Sequence, residues 1–273
     1  MGGRTHVALT VAYDGTAFRG FAAQPEQRTV AGELTAALAQ VLRDDLADVV
    51  CAGRTDAGVH AWGQVVSFST GADVEPARLV AVLNRRLGPE IVVREARAVA
   101  PDFDARHSAV ARTYRYTVVN RPVPDPFLAR SAWWVPEPLD LSRLRLAADP
   151  FVGEHDFAAF CRRGPEGTTT VRRVLRSHWD VLPDGVLRYE IRGTAFCWQM
   201  VRSVVGTLVE VGRGRRTPGD VMTILRSRDR GQAPSPAPPT GLCLWAVDYP
   251  PGVLEPSGDA AGSTAWSIPA DRE

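Results

Sequence analysis

A chain of 273 residues, 45% hydrophobic and 23% charged, suits one large domain or two of ordinary size and has the composition of a soluble globular protein. No segment reaches the apolar length of a membrane span, and the opening MGGRTHVALTVAYDG lacks the long apolar core of a signal peptide, so a cytoplasmic location is expected. The formal net charge is only +1, and all 32 basic residues are arginine, which excludes lysine Schiff-base chemistry and a Walker-type phosphate loop.

In chain order, THVALTVAYDG alternates and ends in Asp14-Gly15, a strand followed by a turn. Val30, Leu34, Leu38, Val41 and Leu42 then recur at helical spacing, so a helix over this stretch lays one face on a sheet. ADVVCAG reads as a short strand and WGQVVSFST as a longer alternating one. PARLVAVLNRRLG is a helix with proline at its start and Gly88 at its end, and EIVVREARAV is a strand. The order to this point is β-α-β-β-α-β, a ferredoxin-like arrangement.

The second half repeats the plan less regularly. RTYRYTVVN alternates, residues 120–126 form a proline-rich turn, and RSAWWVPE is expected as a strand. DLSRLRLAADPFVG begins a helix capped by Asp140. VRRVLRSHWDVL and VLRYEIRG form a hairpin around Asp184-Gly185. Helices are expected over FCWQMVRSVVGTLVEVG and PGDVMTILRSR, and LCLWAVDY closes as a strand. The fold class expected is α+β: two ferredoxin/RRM-like α+β halves sharing a mainly antiparallel sheet with helices packed on it and an active-site cleft between them. The first half is residues 1–108, the second 109–250, and residues 251–273 form an acidic, loosely ordered tail.

Cys51, Cys161, Cys197 and Cys243 are too scattered for a metal-ligand pair and are read as buried reduced thiols; the five histidines are equally dispersed, and no metal is predicted. Charge is more informative. Between Arg162 and Arg230 there are 14 arginines and 7 acids, whereas from Gly231 onward there are one arginine and five acids. A basic middle suits a polyanion such as nucleic acid, and equally suits solvated helix faces.

The stretch CAGRTDAGVHA, residues 51–61, places Asp56 in a connection between two expected strands. Aspartate before a small residue and glycine is a turn former. It is also a carboxylate held at a strand end, with Arg54 two residues back on the same face of an extended segment. A nearby guanidinium favours the charged form that a nucleophile requires. The spacing alone leaves both readings open. Aspartic-protease and glycosidase readings need a second carboxylate, and neither a second copy of the motif nor an obvious partner is present. Tyr114 and Tyr116 share one face of a strand; such a tyrosine stacks on a base, worth roughly 1–3 kcal/mol, or serves as a core aromatic. Arg202 interrupts the apolar run MVRSVVGTL, and a buried arginine needs an acid such as Asp56 or a phosphate, unless it snorkels to the surface.

At these residues the chain resembles the TruA-type tRNA pseudouridine synthases, with Gly53 to His60 matching that family's active-site motif at eight consecutive positions. The resemblance extends through YDGTAFRGF, RTVAGEL, FDARHSAVARTYRYTVVNRP, TVRRV, FCWQMVRSVVGTL and APPTGLCLWAVDY. It departs at Phe21, where the family usually has tryptophan, at Trp198-Gln199, a pair more often Tyr, His or Asn, and at FDARHSA. The resemblance implies isomerisation of uridine to pseudouridine at positions 38, 39 and 40 of the tRNA anticodon stem-loop, with no redox cofactor. It implies that Asp56 is the essential carboxylate, that Tyr114 packs on the target base and assists at its C5 proton, and that Arg202 pairs with Asp56. It implies that Arg54 contacts backbone phosphate and helps keep the target nucleotide extruded, and that the protein is a homodimer. The alternative is a non-catalytic RNA-binding protein of the same fold.

Overall fold

The computed structural model describes residues 4–254 apart from 45, 47, 48, 163, 165 and 166. Most of the tail expected over 251–273 therefore lies outside the described residues. Strands β1 (Thr5–Tyr13), β2 (Val50–Cys51), β3 (His60–Thr70) and β4 (Ile91–Val99) alternate with helices α1 (Val30–Leu42) and α2 (Pro76–Leu87), in the order the sequence predicts. Helix α1 is capped by the Thr29 hydroxyl on the Gly32 amide, and α2 by the Glu75 carboxylate on the Ala77 and Arg78 amides, with Pro76 in its first turn.

The second half holds β5 (Ala111–Val119), β6 (Trp133–Trp134), α3 (Leu141–Ala148), β7 (Gly153–Asp156), β8 (Val171–Leu182), β9 (Val186–Gly193), α4 (Met200–Gly212), α5 (Asp220–Ser227) and β10 (Leu242–Asp248). Among the described residues all ten strands join one sheet, in the order β4-β1-β3-β10-β5-β9-β8-β7, with β2 on β3 and β6 on β5. The C-terminal strand β10 is the seam: it runs parallel to β3, with Cys243 opposite His60, and antiparallel to β5, with Leu244 opposite Tyr114. The class is α+β, as expected, and the sheet is mainly antiparallel.

Alternation along the strands sorts the two faces. Leu9 and Val66 join Leu34, Leu38, Leu83, Tyr116, Tyr189 and Leu208 in one core that runs beneath both halves. Their neighbours Ala8 and Val65 point the other way, into a small cluster closed by Phe103 and Ala105.

Several expectations are corrected. RSAWWVPE pairs as a strand only at Trp133–Trp134, since Pro136 and Pro138 have no N–H to continue a ladder. β7 was not foreseen. Helix α4 starts at Met200 and not at Phe196, because Gln199 sits at φ 61°, in the left-handed region, and breaks the run. Cys161 and Cys197 are joined in a disulfide and are not reduced thiols. The intervening β8–β9 hairpin brings its two flanks back together, so a 36-residue separation in sequence becomes a Cα–Cα distance of 5.7 Å. Cys51 and Cys243 are free thiols, pushed up by burial to about 11 and about 12.

Candidate active site

The loop that carries Asp56 leaves β2 and is clamped before it reaches the carboxylate. Gln64, fully buried in β3, donates its amide N–H to the Gly53 carbonyl at 2.6 Å and accepts the Gly53 N–H at 3.3 Å. A buried amide needs such partners, and here they are the backbone of the loop itself. The Thr55 hydroxyl shares a 2.7 Å hydrogen bond with that of Tyr13, and the Thr55 carbonyl accepts the Phe21 N–H at 3.0 Å. Phe21 packs beside Tyr13, with ring centroids 6.2 Å apart. The Val59 N–H donates to the Asp56 carbonyl at 3.1 Å, with Gly58 at φ 77°, a conformation that favours glycine. His60 pins the far side: its Nδ1 accepts from Gly15 N–H, and its Nε2 meets the Thr240 carbonyl, both at 3.1 Å.

Asp56 thus makes a turn with its backbone, and its side chain is left for something else. Among the described residues its carboxylate reaches across to α4 and the segment before it. Arg202 Nη1 donates to Oδ2 at 3.4 Å, and the indole Nε1–H of Trp198 donates to Oδ1 at 2.9 Å. The Arg202 and Asp56 side chains are 15% and 24% exposed, so the pair is neither a solvent-screened surface contact nor fully dry.

Eleven of the thirteen residues of α4 are buried, and Arg202 is one of the two that are not. Its Nε donates to the Ala237 carbonyl at 2.7 Å, and the Ala237 N–H returns a bond to the Arg202 carbonyl at 2.9 Å. Gly206, one turn on, makes that approach possible, because a Cβ there would collide with the Ser235 carbonyl oxygen. Arg202 is therefore held in place by the 235–237 segment as well as by Asp56.

Tyr114 lies next to the loop. It is 8% exposed, packs edge-on against Phe196 at 5.1 Å between centroids, and directs its hydroxyl towards Gly53. Burial pushes its hydroxyl well above the ordinary value of 10.0, and the Asp56 charge adds to this, against the opposing effect of Arg112. The group is a phenol throughout the neutral range. Tyr116, on the same face, is a core aromatic whose hydroxyl donates to the Pro238 carbonyl at 2.8 Å. Arg54 is exposed on the loop and makes no ion pair with Asp56 among the described residues.

Asp56, Arg202 and Tyr114 are thus brought together, with Arg54 at the rim. The sequence reading missed the Trp198 contact, which is the shorter of the two on Asp56, and the Gln64 clamp. Gln64 had a signal: it is an amide in the interior of an otherwise apolar and small-residue strand. Trp198 had none beyond its departure from the family pair, because its position depends on where α4 starts.

A family model described as tRNA pseudouridine synthase matches residues 9–108 and 147–250, more than half of the chain. Among similar proteins is a tRNA pseudouridine synthase A of Shouchella clausii, 42% identical over 90% of this chain and 94% of that protein. The enzyme of that name from Brevibacillus brevis is 44% identical over 88% of this chain and 97% of its own. That of Frankia casuarinae is 44% identical over 91% of each.

Proposed function

The chain belongs to the tRNA pseudouridine synthase family, and from that membership we propose that it acts at uridines 38, 39 and 40 of the tRNA anticodon stem-loop with Asp56 as its essential carboxylate. It is an isomerase acting on uridine in tRNA. The N1–C1′ glycosidic bond breaks, the base rotates, and a C5–C1′ bond forms while the C5 proton is lost and N1 gains one. Substrate and product have the same composition and oxidation level, so the chemistry calls for no redox partner.

The observation that carries the reading is the carboxylate of Asp56, turned away from its own backbone and held at both oxygens by Trp198 and Arg202. An anchored carboxylate presents its remaining lone pairs in a fixed direction, which is what an attack or a proton removal at the ribose or base requires. Arg202 opposes its charge. Tyr114 packs on the target base, and its hydroxyl, protonated at neutral pH, takes part in the proton movement at C5. Arg54, exposed at the rim, contacts phosphate and helps keep the nucleotide extruded, a state that costs a few kcal/mol to reach. The protein works as a homodimer, with one tRNA contacting both subunits, and in the cytoplasm, where tRNA is used. Among the described residues no helix is long and apolar enough to cross a membrane.

The test is tritium release from tRNA transcripts labelled at uridine C5, because that hydrogen must leave when the new bond forms. Transcripts retaining uridine only at 38, 39 or 40 are expected to release tritium, and transcripts with cytidine at all three are expected to release none. Release that is indifferent to these positions contradicts the assignment to the anticodon stem-loop. Absence of release from any transcript, with tRNA binding intact, favours the non-catalytic RNA-binding protein.

A further inference from the structure

We propose that Trp198 is a positioning residue for Asp56, its indole N–H fixing the plane of the carboxylate that Arg202 alone leaves free to turn. This rests on the reading of Asp56 as the essential carboxylate. The Arg202 contact is long, at 3.4 Å to Oδ2, and Arg202 is committed through Nε to the Ala237 carbonyl at 2.7 Å. Its shorter bond therefore goes to the Ala237 carbonyl, and only the longer one reaches Asp56. A single long contact to one oxygen leaves rotation about the Cβ–Cγ bond unopposed. The Trp198 bond, 2.9 Å to Oδ1, engages the other oxygen, and two donors on two oxygens define a plane.

The half-exposed indole has one contact on its ring and two features that fix its backbone. The Arg162 guanidinium stacks over its ring at 4.1 Å. The Arg162 N–H donates to the Trp198 carbonyl at 2.9 Å, and the preceding residues of both segments, Cys161 and Cys197, are joined by the disulfide. Gln199 adopts φ 61°, an uncommon conformation for a residue with a side chain, and this bend turns position 198 out of α4 and towards the carboxylate. An indole has one donor and no acceptor, so Trp198 neither takes nor returns a proton in the reaction. It occupies one lone pair of Oδ1 and leaves the others available. The role is orientation.

Trp198→Phe keeps an aromatic ring for Arg162 and removes the donor; Trp198→His keeps an N–H. Single-turnover tritium release at saturating enzyme, tRNA dissociation constants and melting temperatures are measured for both, with Asp56→Ala beside them. In Trp198→Phe the release rate is expected to fall roughly 10- to 100-fold, as for a reacting group displaced by up to about 1 Å, with tRNA affinity unchanged. Trp198→His is expected to recover most of the rate. A wild-type rate in Trp198→Phe overturns the proposal. So does a rate loss that tracks weakened tRNA binding or a lowered melting temperature and is not rescued by histidine, since the ring would then be a contact or a packing element. If Asp56→Ala is inert while Trp198→Phe is normal, only the role of Trp198 falls; if Asp56→Ala releases tritium normally, the reading of Asp56 falls first.

Discussion

Tyr114 is a residue whose surroundings limit its chemistry. Burial keeps its hydroxyl protonated well beyond neutral pH, and the edge-on Phe196 ring fixes its orientation. A role as a pre-formed phenolate base is therefore unfavourable, whereas packing and a neutral hydroxyl are both available. Tyr114→Phe retains the ring and is expected to slow tritium release without weakening tRNA binding; an unchanged rate would leave packing as its only role. Asp56 is legible in the sequence as either a turn former or a chemical group, and the geometry bears out the turn while leaving the side chain free for the second role. The backbone of Asp56 closes the turn to Val59, while its side chain points elsewhere. The pairing with Arg202 was legible because a charge in an apolar helix needs a partner. The Trp198 contact was not, since no periodicity marks a residue that lies just outside a helix.

Among the elements, β1, α1, β3 and α2 announce themselves by period, and with the shorter readings at β2 and β4 they give the order β-α-β-β-α-β. What the sequence could not show is where long-range partners meet. β10 inserts between β3 and β5, and the β8–β9 hairpin returns Cys197 to Cys161; neither is a local property. Helix α4 reads as one apolar run from Phe196, but the left-handed Gln199 decides where it starts. Within α4, Gly206 joins packing to function, because the 235–237 segment that anchors Arg202 passes directly over it. Gly206→Ala gains about 1 kcal/mol of helix propensity. The obstacle to its Cβ is a backbone carbonyl and not a flexible side chain, so overpacking wins, with an expected net loss of up to about 2 kcal/mol of stability. Denaturant unfolding should show that loss, together with reduced turnover as Ala237 is pushed from Arg202. An unchanged midpoint would mean that the segment yields freely.

The whole molecule distributes its arginines unevenly in use as well as in sequence. Arg213 and Arg215 form a network with Glu137 and Glu210, Arg192 pairs with Asp248, and Arg228 with Asp156, so part of the basic surplus serves the fold itself. Titration is also a property of the whole. All five tyrosines, Tyr13, Tyr114, Tyr116, Tyr189 and Tyr249, are raised above their ordinary value by burial, as are the thiols of Cys51 and Cys243. For groups raised in the folded state, the unfolded chain loses its protons first. Their stabilising contribution is complete below the unfolded values, 9.0 for the thiols and 10.0 for the tyrosines, and is lost as pH rises through the folded values. The melting temperature is expected to decline from about pH 9 upward; a melting temperature that stays level to pH 11 would contradict the burial described. Whether this fold presents one carboxylate to a uridine of tRNA is decided by comparing wild type with Asp56→Ala and Asp56→Asn in C5-tritium release, with tRNA binding measured in parallel. Release by wild type alone is expected, with all three proteins folded and binding tRNA. Substantial release by either variant would remove Asp56 from the chemistry.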